Sequence, residues 1–337
     1  MEIAITGVTG FIGSHVFQAA ARRGHDIRVL TRRPWDPPET SGSVSVFQGD
    51  VRDEAALQPF LEGADALIHV AGVNTPSSKQ RENIFSSNVD GARLVLTTAH
   101  KAGLQKIVLT GSTAALGTQG RGQMNDEDTP FNLQHASTDY ELSKHREEEL
   151  ALTLCREEGV PVVIAQPSAC VGPGDEKPTF TGKLILDYLQ RKLPGYFDTR
   201  HNYVDVRDVA EGHLLALEKG AVGERYLLCG DDNLLLSEFF DLLRDLTGVE
   251  PPRLKLPLWM VFPLAYANHV LWKISGIDPI IRISTAKRAW YDLYYSNRKA
   301  KEQLGYETHS LRDALRDEIE WFLENGRLDP QTVKLRT

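Results

Sequence analysis

The chain has 337 residues, a formal net charge of −8 and a pI near 5.7, with 41% hydrophobic and 25% charged residues. This length suits one large α/β unit or a main domain with a smaller companion. The net negative charge argues against electrostatic binding of nucleic acid, which requires a basic surface. The composition is that of an ordinary globular protein.

Three cysteines, Cys155, Cys170 and Cys229, lie far apart without C-x-x-C spacing, which indicates neither a disulfide framework nor a metal site. A strand pattern follows Met1 directly, without the basic segment and apolar run of a signal peptide. Prolines and polar residues interrupt the apolar stretch from Leu256 to Gly276, so we expect no membrane span. A cytoplasmic protein without a bound metal is therefore expected.

Short β-branched runs alternate with helical patterns through the first two-thirds of the chain. The predicted strands begin at Glu2, Asp26, Val44, Ala66, Lys106, Pro161 and Glu224, and the predicted helices cover 13–23, 53–61, 83–102, 140–158, 180–191 and a segment from Ser237. Strands that are apolar on both faces and alternate with helices indicate a parallel sheet covered on each side. The fold class is therefore α/β, and helical patterns dominate from about Pro251 onward.

A glycine-rich turn lies between the first strand and the first helix, within Ala4 to Val16. Glycine permits a sharp turn and a close approach of the main chain to a pyrophosphate, while the helix N-terminus supplies N–H donors and a positive dipole end. A turn of this kind that binds nothing is the alternative. We predict a dinucleotide site contacted by Gly7, Gly10, Phe11, Ile12 and Gly13.

The second strand runs into Arg32 and Arg33, at a position where NAD-binding units commonly carry an acidic residue for the ribose hydroxyls. A guanidinium offers a forked donor array to a 2′-phosphate, so Arg32 favours NADP, with NAD possible. A solvated loop charge is the alternative interpretation.

Two later strand ends are predicted to continue the cofactor site. Asp50 and Val51 follow the third strand and could reach the adenine, although Asp50 could instead cap the next helix. The residues predicted along the cofactor's path after the fourth strand are Val70, Ala71 and Gly72. His69, within that strand, is interpreted as a packed residue rather than a ligand.

A serine, a tyrosine and a lysine form the candidate catalytic set. Ser112 follows the fifth strand, and Tyr140 and Lys144 share one face of a helix because they are four residues apart. A lysine placed there would favour the phenolate of Tyr140, and a serine hydroxyl would hold a carbonyl oxygen. With a nicotinamide nearby, the set describes reduction of a carbonyl compound or oxidation of the corresponding alcohol.

Several motifs along nearly the whole chain resemble the extended short-chain dehydrogenase/reductase superfamily, also called the NAD-dependent epimerase/dehydratase family. They are "TGVTGFIGSHV", "GDVRD", "NVDGARLVL", "TGSTAALG", "YELSK", "QPSACVGPGD", "YVDVRDVAEGHLLAL" and "SNRKAKEQLGYE". The resemblance implies that Ser112 orients the carbonyl, that Tyr140 is the general acid or base, and that Lys144 binds the nicotinamide ribose and lowers the tyrosine pKa. It also implies that Pro167 and Ser168 lie near the nicotinamide and that the long helices pair in a homodimer.

The resemblance further implies a doubly wound Rossmann domain from 1–165 with 201–231. A smaller, mostly helical substrate domain is expected from 166–200 with 232–337, with the active site between the two at the carboxyl ends of the strands. The aromatic-rich segment 256–276 is interpreted as a core helix, a lid over a hydrophobic substrate or a membrane-surface contact.

Two branches of the superfamily remain open. Epimerases and dehydratases that act on nucleotide-sugars usually carry R-P-x-N, whereas this chain has Gln166, Pro167, Ser168 and Ala169. The "PSACVGP" segment and Arg32 look more like the dihydroflavonol reductase and 3β-hydroxysteroid dehydrogenase branch. We therefore expect an NADP-dependent reductase or dehydrogenase that acts on the ketone, aldehyde or alcohol of a hydrophobic or medium-sized small-molecule substrate. A nucleotide-sugar epimerase or dehydratase that holds NAD tightly is the alternative. A non-catalytic NADP sensor is a third hypothesis, against which an intact serine, tyrosine and lysine argue.

Overall fold

The computed structural model describes residues 1–75, 80–275 and 283–336. Its strands are β1 (Glu2–Thr6), β2 (Asp26–Thr31), β3 (Val44–Gln48), β4 (Ala66–His69), β5 (Lys106–Thr110), β6 (Val162–Pro167), β7 (Ala169–Val171), β8 (Tyr196–Phe197), β9 (Arg200–Asp205), β10 (Arg225–Leu228), β11 (Asn233–Leu235) and β12 (Lys255–Leu256). Its α-helices are α1 (Phe11–Arg22), α2 (Glu54–Leu61), α3 (Arg81–Phe85), α4 (Ala92–Lys101), α5 (Asp139–Glu158), α6 (Phe180–Leu189), α7 (Val206–Lys219), α8 (Leu236–Thr247), α9 (Val261–Ser275), α10 (Ile283–Arg288), α11 (Arg298–Leu304) and α12 (Leu311–Glu324). A π-helical segment, Ser86–Gly91, joins α3 to α4.

Seven parallel strands form the main sheet in the order β10-β6-β5-β4-β1-β2-β3. The chain moves outward from β1 through β2 to β3 and then returns to the other side of β1 with β4, so the strand order reverses between β1 and β4. In doubly wound sheets this reversal opens a crevice at the carboxyl ends of the strands. The predicted α/β class with a parallel Rossmann sheet is confirmed.

Alternation along each strand divides the core into two layers. Ile3 and Ile5 of β1 pack in the layer that contains α1 and α7, whereas Ala4 packs in the layer of α2, α4 and α5. Both faces of β1 are fully buried, which explains why its sequence is a continuous apolar run.

A second, smaller core lies among α6, α8 and α12 and the short sheet β11-β9-β7. Its largest side chains include Tyr188, Phe239, Phe240 and Phe322, all fully buried or nearly so. The strands β7 and β11 have no counterpart among the predicted elements, because three residues give no periodic signal. The six-residue strand β9 has no predicted counterpart either. Helix α11 packs against α7 and β10, so Ala300 and Leu304 contribute to the main-sheet layer. The predicted division into domains by residue number stays a prediction.

The aromatic-rich segment is not a core helix. Val261 and Ala265 of α9 are buried in a small cluster with α10, but Trp259 is 65% and Tyr266 64% exposed. Helix α10 packs against the 3₁₀ turn Gln134–Ala136, which lies just before α5. Helix α10, which packs against α9, therefore lies beside the beginning of α5. The last residue of the aromatic-rich segment, Gly276, falls outside the described residues. Within the described ranges no helix combines the length and apolarity needed to cross a bilayer.

Helix α5 is defined at both ends by local interactions. The Thr138 hydroxyl accepts a hydrogen bond from the Glu141 N–H at 3.3 Å, and the Glu141 carboxylate accepts one from the Thr138 N–H at 2.6 Å. Gly159 ends the helix in the left-handed conformation, at φ 74°. This reciprocal capping satisfies N–H groups that the first turn would otherwise leave open.

Thr138→Ala removes one half of this cap. We expect the free energy of unfolding to fall by about 1 kcal/mol, the usual cost of losing an N-cap hydroxyl. Urea unfolding measures the change, and Thr138→Ser, which keeps the hydroxyl, should retain most of the stability. Equal stability of Thr138→Ala and Thr138→Ser would contradict the capping assignment.

Candidate active site

The turn between β1 and α1 leaves space for an anion. Gly7 has φ +80°, and a Cβ there would lie 2.7 Å from the Ala71 nitrogen. A Cβ on Gly13 would lie 2.0 Å from the Gly7 carbonyl oxygen, so only glycine allows α1 to begin this close to β1. No side chain caps the helix at Gly10, and its first turn carries no acidic residue. These open N–H groups and the positive helix end fit the pyrophosphate of a dinucleotide.

The loop after β4 is held against this turn by two polar side chains. The Thr6 hydroxyl accepts hydrogen bonds from the N–H groups of Val70 and Ala71, both at 3.2 Å. Asn88 accepts from the Val73 N–H at 2.7 Å and donates to the Ser143 hydroxyl of α5 at 2.9 Å. Asn88 thus connects the loop that contains Val70, Ala71 and Gly72 to α5, a role that its motif alone did not reveal.

His69 is a buried strand residue, as predicted. It is 1% exposed, and its Nδ1 lies 2.7 Å from the Thr6 hydroxyl. Burial, with a further contribution from the Lys144 charge, lowers the pKa of His69 to about 3. The imidazole is therefore neutral and takes part in packing and loop support.

Arg32 and Asp50 lie near each other at the ends of β2 and β3. Arg32 is exposed, and no hydrogen bond or ion pair joins it to another described residue, although its charge helps to lower the pKa of Asp50. The main cause of that lowered pKa is Arg52, which donates to both Asp50 oxygens at 2.8 and 2.9 Å. Asp53, not Asp50, caps α2, so the alternative of Asp50 as a helix cap is wrong. Val51 is half-buried beside the same loop.

The three residues predicted as a catalytic set lie together at the carboxyl end of β5. Ser112 lies two residues after the end of β5 and caps the 3₁₀ turn that follows. Tyr140 and Lys144 lie on successive turns of α5. The Ser112 side chain lies close enough to the Tyr140 phenol to help lower the pKa of the phenol. The Lys144 ammonium donates to the Thr110 carbonyl at 2.7 Å and contacts the Glu147 carboxylate. The geometry thus places a hydroxyl, a phenol and a cation side by side.

Burial and charge compete at this cluster. Burial raises the pKa of Tyr140 above its ordinary value, while the Lys144 charge and the Ser112 side chain act in the opposite direction. Burial alone would lower the pKa of Lys144, but Glu147 and Tyr140 outweigh it and raise this pKa. Lys144 is therefore charged and does favour the phenolate as expected, but in the protein alone it does not bring the tyrosine pKa below its usual range.

Two buried glutamates support the cluster, and neither was identified from the sequence. Glu147 contacts Lys144, while Glu148 accepts from the Ser112 N–H at 3.2 Å and from the Gln166 side chain at 2.8 Å. Burial raises the pKa of each to about 7. In the sequence, the three consecutive glutamates that begin at Glu147 resemble an exposed helix surface. Glu147 and Glu148 are three and four residues after Lys144, so they lie on the same buried face of α5 as the lysine.

Pro167 and Ser168 lie where β6 ends. The Ser168 hydroxyl donates to the Asn202 side-chain oxygen at 2.6 Å, and that oxygen also accepts from the Gly230 N–H at 3.1 Å. Ser168 is thereby connected to β9 and to the loop after β10. Asn202, which the sequence gave no reason to select, fixes this side of the crevice.

The family model described as "NAD dependent epimerase/dehydratase family" matches residues 3–229. The chain belongs to this family. It is an NAD(P)-dependent oxidoreductase enzyme, and the resemblance to the extended short-chain dehydrogenases is confirmed.

Several known proteins are similar to nearly the whole chain. A putative dihydroflavonol 4-reductase of Synechocystis sp. is 35% identical and covers 97% of this chain and 96% of its own. Sterol demethylase protein B of Methylococcus capsulatus is 32% identical, with 97% and 100% covered. The crystal structure of the protein designated gox2253 has a TM-score of 0.87 and 39% identity, with 97% and 99% covered.

The raised pKa of Glu148 should make the stability of the protein depend on pH, and this dependence can be tested. Because burial raises the pKa of Glu148 from 4.5 to about 7, folding favours its protonated form. That contribution to stability is complete below the ordinary pKa and is lost as the pH rises through about 7. Glu148→Gln cannot ionise, so we expect it to gain stability relative to the unmodified protein as the pH rises from about 4 to about 8.

Urea unfolding across this pH range measures the difference. The matched control is Glu149→Gln, because Glu149 is exposed on the same helix. Parallel stability curves for Glu148→Gln and the unmodified protein would show that Glu148 does not titrate as described.

Proposed function

We propose that the chain is an NADP-dependent oxidoreductase that reduces a ketone or aldehyde of a hydrophobic or medium-sized substrate, or oxidises the corresponding alcohol. The observation that carries the proposal is the contact of Ser112, Tyr140 and Lys144 at the carboxyl end of β5, beside the open glycine turn.

Each member of the set would have a separate task. The Ser112 hydroxyl would hold the substrate oxygen, and the Tyr140 phenol would donate its proton to that oxygen or accept one from it. Lys144, already charged and held by the Thr110 carbonyl, would stabilise the phenolate and bind the nicotinamide ribose. The bound cofactor supplies or accepts the hydride. Buried Glu147 would keep the lysine charged.

The cofactor preference is argued from Arg32. This arginine is exposed at the end of β2 and has no ion-pair partner among the described residues, so its guanidinium is free to contact a 2′-phosphate. Gly7, Gly10, Phe11, Ile12 and Gly13 would contact the pyrophosphate. Asp50 with Val51 would contact the adenine side, and Pro167 with Ser168 the nicotinamide side. NAD remains the alternative cofactor.

A reductase or dehydrogenase is favoured over a nucleotide-sugar enzyme by two observations. The segment from Gln166 to Ala169 lacks the arginine and asparagine of the sugar-nucleotide motif. The relatives named above carry the names of a reductase and a sterol-demethylation protein at 35% and 32% identity. A homodimer and a cytoplasmic location stay predictions of the sequence.

Tyr140→Phe removes the proton donor while it keeps the ring. Across a panel of hydrophobic ketones and aldehydes, NADPH oxidation should fall by at least about a hundredfold, the usual contribution of a positioned acid. The control is Tyr306→Phe, because Tyr306 is a buried tyrosine whose hydroxyl has no partner among the described residues. Activity that survives Tyr140→Phe unchanged would rule out the proposed role of the phenol.

Arg32→Ala tests the phosphate contact. NADPH binding should weaken by tens of fold, as expected for the loss of a charge-assisted hydrogen bond, with little change for NADH. Isothermal titration with both cofactors measures the effect, and Arg253→Ala removes an exposed arginine outside the predicted cofactor site. Equal losses for NADPH and NADH would contradict an Arg32 contact with the 2′-phosphate.

A further inference from the structure

Large apolar side chains are exposed together along α9 and the 3₁₀ turn that precedes it, Leu258–Met260. Seven of the twelve large hydrophobic side chains that are exposed in the described part of the chain fall between Leu254 and Trp290. Globular proteins rarely expose so many apolar groups in one place, and such a patch usually marks an interaction site. Five of these side chains form what we call the apolar face: Trp259, Phe262, Tyr266, Val270 and Trp290.

Helical spacing and one ring contact place the apolar face on one side of the segment. Phe262, Tyr266 and Val270 are four residues apart in α9, so they share one side of the helix. Trp259 lies three residues before Phe262, in the 3₁₀ turn. Trp290, just after α10, stacks on Phe262 with 6.2 Å between the ring centroids. Other side chains of α9 pack against α10, so the helix is anchored to the protein while its apolar face meets solvent.

The segment that contains the apolar face is basic, although the chain is acidic. In the sequence, residues 251–291 include six lysines and arginines and one acidic residue, a net charge of +5, whereas the whole chain has −8. No aspartate or glutamate occurs in 251–277. Exposed apolar side chains and an excess of cations therefore occur in the same part of an otherwise acidic protein.

The structure shows which of the described cations are already compensated. Lys255 pairs with Asp198, and Arg288 is buried. Arg253 is exposed, and Lys287 is half-buried and donates to a backbone carbonyl. Neither Arg253 nor Lys287 forms an ion pair with a described carboxylate, so their charges are open to an anionic partner.

We propose that the apolar face binds the surface of a membrane that contains anionic lipids. Tryptophan and tyrosine side chains favour the interface between lipid headgroups and acyl chains. A helix with one exposed apolar side can lie in this plane without spanning the bilayer. Neighbouring lysines and arginines are attracted to anionic headgroups. The same cations oppose a second copy of this chain as the occupant, because two basic segments would repel each other.

Co-sedimentation of the full chain with lipid vesicles tests the charge contribution. The unmodified protein should bind vesicles of phosphatidylcholine mixed with phosphatidylglycerol about tenfold or more tightly than vesicles of phosphatidylcholine alone. Arg253→Gln combined with Lys287→Gln should remove most of this preference, because both uncompensated cations are lost.

The same measurement tests the apolar contribution. Trp259→Ser combined with Tyr266→Ser should weaken binding to the mixed vesicles at least about tenfold, because two aromatic side chains no longer leave water on binding. The matched control is Phe180→Ser, which removes an exposed aromatic side chain from α6 and should bind like the unmodified protein. Thermal unfolding of each variant in the absence of lipid shows whether it is folded.

Quenching of tryptophan fluorescence by brominated phosphatidylcholine gives a second measurement that does not depend on a polar substitution. The fluorescence of the unmodified protein should fall when it binds mixed vesicles that contain the brominated lipid. Trp259→Phe keeps a large apolar ring, so it should still bind but should lose part of the quenching.

Four results would overturn the proposal. The first is the absence of binding to either kind of vesicle, and the second is equal binding by the unmodified protein and the variant that lacks Trp259 and Tyr266. The third is self-association that requires these two side chains, without vesicle binding, which would assign the apolar face to a second copy of the chain. The fourth is a raised KM for hydrophobic ketones in that variant, without vesicle binding, which would assign the apolar face to the substrate.

Discussion

A single buried ammonium group, that of Lys144, holds the functional end of the molecule together. It donates to the Thr110 carbonyl at the end of β5, contacts Glu147 one turn further along α5, and lies beside Tyr140. A charge in this position is tolerated only because a carbonyl and a carboxylate compensate for the loss of water. The sheet, the long helix and the phenol therefore depend on one another through this lysine.

Much of the fold and of the central site could be predicted because its signals are local. The glycine turn after β1 and the four-residue spacing of Tyr140 and Lys144 each lie within one element, where sequence separation translates directly into geometry. Continuous apolar strands identified a sheet covered on both faces. Placing Ser112 beside Tyr140 needed one long-range assumption, that β5 ends next to α5, and the family motifs supplied it.

The remaining features depend on contacts between distant parts of the chain. Asn202 becomes important only when β9 pairs with β7 and brings it to Ser168, and the three-residue strand β7 is too short to be recognised from a period. The net pKa of Tyr140 depends on burial, which a spacing argument does not quantify.

The most direct measurement of the central claim follows deuterium from the cofactor to the product. NADPH labelled with deuterium at the transferable position is incubated with a ketone that the enzyme accepts, and the product is examined by mass spectrometry and NMR. The account predicts one deuterium on the new alcohol carbon and stoichiometric formation of NADP. Recovery of label in the cofactor with no net reduction, as in an internal oxidation and reduction of a bound sugar, would contradict it.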